Sequence, residues 1–191
     1  MKYLPVSGLP LIEESEATAE IAQLYEEGKR VLESPFVPNI AKAVAISPSV
    51  LTMLNGVYQA FFQGVTIPHS LLAMISYCIP TAKNCRYCAV NGELTCRTVG
   101  IDEETLEMLA KDLGNVSPHR IRAVIQFALQ CALDPQLLTA EDYNHVRAEG
   151  VSEEEIVEII FIAAMANFSD TLADALKIEV DEEVIEALAN A

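Results

Sequence analysis

Proline, glycine and capping residues stand at the edges of every apolar-periodic stretch of this 191-residue chain, and they leave it little to form but helices. Residues 16–32 carry Ala19, Ile21, Ala22, Leu24, Tyr25 and Val31 between charges, one apolar face at helical spacing, ended by Ser34-Pro35. Pro38-Asn39 opens a short helix through Ile46, and Ser47-Pro48 supplies an N-cap and an N1 proline for a helix over 49–63 that Gly64 stops. Pro68 restarts helix to residues 77–79, where Pro80 is expected to break it. The next begins at Asn84 or Cys85 and runs to Val99 before Gly100. Asp102 caps a helix to Lys111.

The second half has the same grammar. Ser117-Pro118 starts a helix to Leu133, Asp134-Pro135 stops it, and Thr139 to Asp142 resembles a capping box with aspartate in the glutamate's place. Gly150 ends that helix. Ser152-Glu153-Glu154-Glu155 is a full capping box before the most apolar stretch, Ile156 to Leu176, and Asp181 is expected to cap a last helix through Leu188. There is no alternating strand pattern, no Gly/Ser linker and no low-complexity run. The expectation is an all-α fold in one domain over 1–191, with a cysteine-bearing core of about 37–113 and a C-terminal helical half of about 117–191. Ile159 to Ala166 marks its central or subunit-contact helix.

With 12 basic and 28 acidic residues the formal charge is −16, which repels nucleic acid and anionic membrane surfaces alike. The first ten residues show no apolar leader segment after Lys2, and the run Ile159 to Ala166 is too short to span a bilayer, so a cytoplasmic protein with no membrane partner is expected. Five cysteines at uneven spacing are not a secreted disulfide framework.

Two of them form Cys85-Arg86-Tyr87-Cys88 at a helix start, where unpaired backbone donors favour a thiolate. A redox dithiol, half of a zinc site and plain core packing all fit this spacing. Zinc needs two more ligands. His119 and His145 are distant and belong to no second C-x-x-C or H-x-x-x-H, so a site would depend on Cys78, Cys96 or a neighbouring subunit. No metal and no organic cofactor is expected. Cys131, on an apolar helix face, reads as core.

Further stretches bear a family likeness: Ala19 to Glu27, Val37-Pro38-Asn39-Ile40, Ser47-Pro48, Asn84 to Cys88, Asp134-Pro135, Leu138 to Asp142, Ala148 to Ser152, Asn167-Phe168 and Leu172 to Leu176. In this order the chain resembles the AhpD-like, or carboxymuconolactone decarboxylase, family in its peroxidase-related branch. The resemblance implies an orthogonal helical bundle, a homo-oligomer, and a cysteine pair that reduces hydroperoxides or exchanges disulfides, regenerated by a dithiol or protein reductant. It makes Cys88 the peroxidatic cysteine and Cys85 the resolving one. The decarboxylase branch lacks the cysteine pair and relies on acid–base residues, the opposite inventory.

The likeness also fails at two places. The family's active pattern has a glutamate twelve residues before the first cysteine and a histidine four after the second, and here those positions are Ala73 and Gly92. Acid–base assistance is worth ~10²–10⁴-fold, so a peroxidase without it is slow unless another group substitutes. His69 and Tyr77 lie four residues either side of Ala73 and are the auxiliary candidates, against a plain reading with Tyr77 in the core and His69 exposed. Glu93 is turned about 100° away from position 92. Cys96 shares a helical stripe with Cys85, Cys88 and Gly92 and is expected to fill the missing histidine's volume; eight residues of helix, about 12 Å, exclude a disulfide with Cys88.

Three classes remain: an alkylhydroperoxidase-type thiol oxidoreductase, a disulfide reductase or redox sensor acting on a protein partner, and a non-enzymatic oligomer of the same fold. If the two lost relay groups limit activity, Ala73→Glu with Gly92→His raises peroxide turnover by more than the sum of the single changes, provided the space beside Gly92 is open.

Overall fold

The computed structural model describes residues 2–190. Its elements are β1 (Lys2–Tyr3), β2 (Pro10–Leu11), α1 (Ala19–Leu32), α2 (Asn39–Val44), α3 (Pro48–Gln63), α4 (His69–Lys83), α5 (Arg86–Thr98), α6 (Glu103–Lys111), α7 (His119–Leu133), α8 (Ala140–Ala148), α9 (Glu153–Leu176) and α10 (Glu182–Ala189), with short 3-10 turns between some of them. The fold is all-α. The strands pair antiparallel, Lys2 opposite Leu11 and Tyr3 opposite Pro10, and at two residues each they are too short to leave an alternating pattern in the sequence.

The caps explain most boundaries. Asp102 Oδ1 accepts from the Thr105 N–H at 2.8 Å, the Thr139–Asp142 capping box is formed, and Ser152 and Glu155 cap reciprocally at 3.2 and 2.8 Å. One signal acts differently from expectation. Pro80 lies inside α4 without ending it. Asp181 stands directly before α10, and its buried carboxylate also accepts from the Asn39 N–H at 2.6 Å through Oδ1, at the start of α2. The α1 helix starts at Ala19, where Thr18 Oγ1 accepts from the Ile21 N–H; residues 14–16 form a 3-10 turn instead.

The chain forms two compact units, residues up to Val65 with Thr171–Glu182, and Thr66–Asp170 with residues from Glu183 on. In the first, α1 packs on α3 around Ile21, Tyr25, Leu51 and Leu54. Buried Asn55 donates to the Leu24 carbonyl, and the Tyr25 hydroxyl donates to the Ile12 carbonyl, so the apolar packing carries its polar groups satisfied. In the second, α4 packs along α5 and on α6 and α7, with Ile75, Ile79, Val124, Ile125, Ile159 and Ile162 sealed from solvent.

The α9 helix buries Ile156, Ile159, Ala163, Ala166, Asp170 and Ala173, spaced three and four apart, one continuous seam. By length and composition it suffices to cross a bilayer, which the apolar run alone does not; within the second unit its carboxylates nevertheless serve protein contacts. Glu158 accepts from the Thr66 and Ile67 N–H groups just before α4, while Asn167 and Asp170 meet Lys83 at the end of α4. These bonds tie α4 to α9 at both ends.

Between α4 and α5 the backbones themselves touch. A Cβ on Gly92 would fall 2.7 Å from the Ser76 carbonyl oxygen and 2.8 Å from Tyr77 Cα. Pro80 has no N–H to return to Ser76 in the helical ladder, so the carbonyl that meets Gly92 is the one Pro80 leaves without its helical partner. Gly92→Ala is therefore expected to cost ~1–3 kcal/mol despite alanine's better helix propensity. Gly56→Ala, in α3 with nothing within 4 Å of the added carbon, should gain ~0.5–1 kcal/mol. Urea midpoints that move in opposite directions for the two variants are the expected result.

Candidate functional site

The site is made by a turn. Asn84 takes the left-handed conformation (φ 59°), its N–H donates to the Thr81 carbonyl at 3.2 Å, and the Cys85 N–H donates to the Pro80 carbonyl at 2.9 Å. This pair of bonds is a Schellman closure of α4, and asparagine is among the residues that adopt its left-handed position at least cost. Cys85 is at once the second residue past α4 and the N-cap of α5, while Cys88 sits in the first turn of α5. Cys85 is fully buried and Cys88 half-buried.

A third group joins them from α9. Asp170, 1% exposed, places a carboxylate oxygen so that it and the two sulfurs all lie within 4.8 Å of one another. The Cys85 thiol donates a long hydrogen bond, 3.9 Å, to the Asp170 main-chain carbonyl. Lys83 Nζ stands 3.4 Å from Asp170 Oδ2, an ion pair without hydrogen-bond geometry, and neither carboxylate oxygen has a hydrogen-bond partner among the described residues. Lys83 donates instead to Asn167 Oδ1, and Asn167 Nδ2 donates to the Ala132 carbonyl at 2.8 Å.

The electrostatics correct the expectation of a ready thiolate. The Cys88 thiol is held well above its ordinary range, first by its hydrogen bond to Cys85, then by burial and by the negative charge of its neighbours, Cys85 and Asp170. A helix N-terminus does not outweigh two such neighbours at a half-buried position. Burial likewise raises the Asp170 carboxyl, opposed by the Cys88 thiol and then by Lys83.

Other sequence candidates lie elsewhere. His69 is exposed at the first residue of α4. Tyr77 is half-buried against the apolar cluster of Ala73, Cys96 and Leu106, and burial raises its phenol. Cys96 packs in that cluster and fills no vacant histidine seat, because the seat at Gly92 is occupied by the α4 main chain. The space is closed, so the paired Ala73→Glu, Gly92→His restoration fails on packing: a histidine has nowhere to go, and a glutamate at 73 emerges in an apolar cluster beside Cys96, about 12 Å along the helix from Cys88. Glu93 is paired with Arg97. Cys78 is buried against the Leu109 carbonyl and Cys131 in α7; burial pushes the Cys78 and Cys96 thiols up to about 12 and Cys131 to about 11.

Sequence reasoning missed Asp170. The signal was present as the one carboxylate on the buried seam of α9, a position where an unpaired charge is costly. Two sulfurs and a carboxylate also match the donor types of a three-ligand zinc site. Lys83 competes with any cation for that carboxylate, and His119 and His145 are exposed on α7 and α8, outside the cluster.

No protein-family model and no curated protein matches this chain. Solved structures do. An uncharacterized peroxidase-related protein from Silicibacter sp. TM1040 aligns at 21% identity and TM-score 0.81, over 96% of this chain and 95% of that one. The alkylhydroperoxidase AhpD core of an uncharacterized peroxidase-related protein from Ralstonia eutropha JMP134 aligns at 23% and 0.81, over 94% and 95%. The debrominase Bmp8, solved apo and as a cysteine-to-alanine variant with 2,3,4-tribromopyrrole, aligns at 18% and 0.79, over 95% and 96%. The likeness is one of fold: this chain has the all-helical AhpD-like fold over nearly its full length.

Alkylation of the folded protein should label Cys88 before Cys78 or Cys96. Because its thiol is raised, the pH midpoint of that labelling should lie above the ~8.5 of a free cysteine. Peptide mapping after iodoacetamide at a series of pH values reads both, and a midpoint below the free value would contradict the electrostatics described above.

Proposed function

We propose that the protein is a thiol oxidoreductase of the alkylhydroperoxidase type, a member of the AhpD-like family acting on hydroperoxides through Cys85 and Cys88. The observation that carries the reading is the pairing of a reachable sulfur, Cys88, with a buried one, Cys85, at a turn that fixes both. Cys88 attacks the peroxide, the O–O bond breaks, an alcohol leaves and a sulfenic acid forms. Cys85 then condenses with it, releasing water and closing a disulfide. A dithiol or protein reductant restores the pair, in keeping with a cytoplasmic setting. The fold likeness to an alkylhydroperoxidase core supports this choice over a purely structural role.

The test is one equivalent of hydroperoxide followed by thiol mass spectrometry. The expected product is a Cys85–Cys88 disulfide with Cys78, Cys96 and Cys131 still reduced, and Cys85→Ser should stop at a sulfenic acid on Cys88. Unchanged thiols sink the reading, whereas exchange with a disulfide substrate in the absence of peroxide chemistry moves it to a disulfide reductase. The debrominase likeness makes 2,3,4-tribromopyrrole a second compound to try in the same assay.

The reading includes a homo-oligomer. Val157, Ile160, Phe161 and Phe168 leave an apolar stripe on the exposed side of α9, while Ile159 and Ile162 of the same run are core. A second copy of the chain covers that stripe on this reading. Light scattering should give a multiple of the 20.8 kDa chain mass, and Phe161→Asp should reduce it to the monomer. A monomeric wild type would reject the interface.

A further inference from the structure

The chemistry proposed above needs a group to take the Cys88 proton, and neither relay position of the resembled family holds one. We propose that Asp170 is that group, receiving the proton from Cys88 as the sulfur attacks and returning it to the departing oxygen. The inference rests on the oxidoreductase reading and deepens it by naming the acid–base residue.

Its basis is geometric. Asp170 is 1% exposed, a carboxylate oxygen lies within 4.8 Å of both sulfurs, and neither oxygen is hydrogen-bonded among the described residues. Buried carboxylates are almost always satisfied, so an unsatisfied one facing a nucleophile marks a working group. The Asp170 main-chain carbonyl accepts from the Cys85 thiol, and its carboxylate faces both sulfurs. The charged and titratable groups that face Asp170 are Cys85, Cys88 and Lys83. Lys83 is steadied by Asn167, itself held on Ala132, and it stands on the Oδ2 side; a cation there favours the charged carboxylate against the cost of burial and so keeps a proton acceptor in the site. Burial in turn makes that carboxylate a stronger base than an exposed aspartate.

The step balances. The Cys88 S–H proton passes to the Asp170 carboxylate as the sulfur takes the terminal OH of the peroxide. The S–O bond forms, the O–O bond breaks, and sulfur loses the two electrons the peroxide gains. The alkoxide then takes the proton from Asp170 and leaves as an alcohol. In the second step the Cys85 proton follows the same route to the hydroxyl of the sulfenic acid, which leaves as water while the S–S bond closes.

The experiment is the single-turnover rate of disulfide formation with hydrogen peroxide from mildly acid to alkaline pH, followed by alkylation and mass spectrometry. Asp170→Asn keeps the shape and removes the base; a loss of about 10²-fold at neutral pH that closes as the medium becomes alkaline is expected. Asp170→Ala should behave alike and recover with added formate. A rate unchanged at neutral pH, or reduced equally at every pH, overturns the assignment. The wild-type profile provides a test that does not require the variants to fold. A carboxylate base predicts a rate that levels off between its own titration and that of Cys88, whereas a rate that follows the Cys88 thiolate alone throughout overturns it. Wild type that forms no disulfide removes the oxidoreductase reading and this inference together; wild type that does, with variants of identical pH profile, removes only Asp170.

Discussion

The close approach of α4 and α5 governs the second unit. Helices usually meet through side chains at 8–10 Å, but at Gly92 a single added carbon would meet main chain at 2.7–2.8 Å. Pro80 and Gly92 act together here, one freeing a carbonyl of α4 from its helical bond and the other removing the side chain that would keep it away. Three residues past Pro80 the helix closes at Lys83, and the left-handed Asn84 passes the chain into α5 with Cys85 at the corner. The dithiol is where it is because the two helices cannot move apart without undoing that corner.

The same seam leaves no room for the acid–base pair of the resembled family. Its histidine position is filled by backbone, and its glutamate position faces Cys96 and Leu106 in an apolar cluster. A charged relay along this interface would have to be buried without partners, at a cost of several kcal/mol per ion. Polar chemistry at the thiols therefore has to come from a different element, and α9 is the element that brings a carboxylate there.

Much of this fold is written locally. Helix starts at Asp102, Thr139 and Ser152 and stops at Gly100 and Gly150 depend on bonds to residues three to five positions away, which a linear reading sees. Pro80 was misread because its effect depends on what packs against the helix: where another backbone accepts the free carbonyl's approach, the helix continues through it. The bond from the Asn39 N–H to Asp181, 142 residues away, is one that a linear reading does not see, although Asp181 stands directly before α10 as its place in the sequence predicts. The cysteine pair was legible from its spacing. Its protonation state was not, since a helix start favours a thiolate only until the hydrogen bond to Cys85, burial and the neighbouring acids outweigh the few tenths to one kcal/mol that a helix terminus supplies.

Asp170 was readable in principle and shows what kind of signal carries across such distances. On α9 the exposed and partly exposed positions tolerate Glu158 and Asp174 without consequence for the core, but the seam of Ile156, Ile159, Ala163, Ala166 and Ala173 is apolar except at one place. A charge kept on a buried seam has to be compensated, and Lys83 compensates it only in part, through an ion pair without hydrogen-bond geometry. If stability alone set this position, an alanine like its neighbours on the seam would serve better. The residual frustration is concentrated on the atoms that face two thiols, and that is where a proton acceptor has to be left unpaired in order to accept.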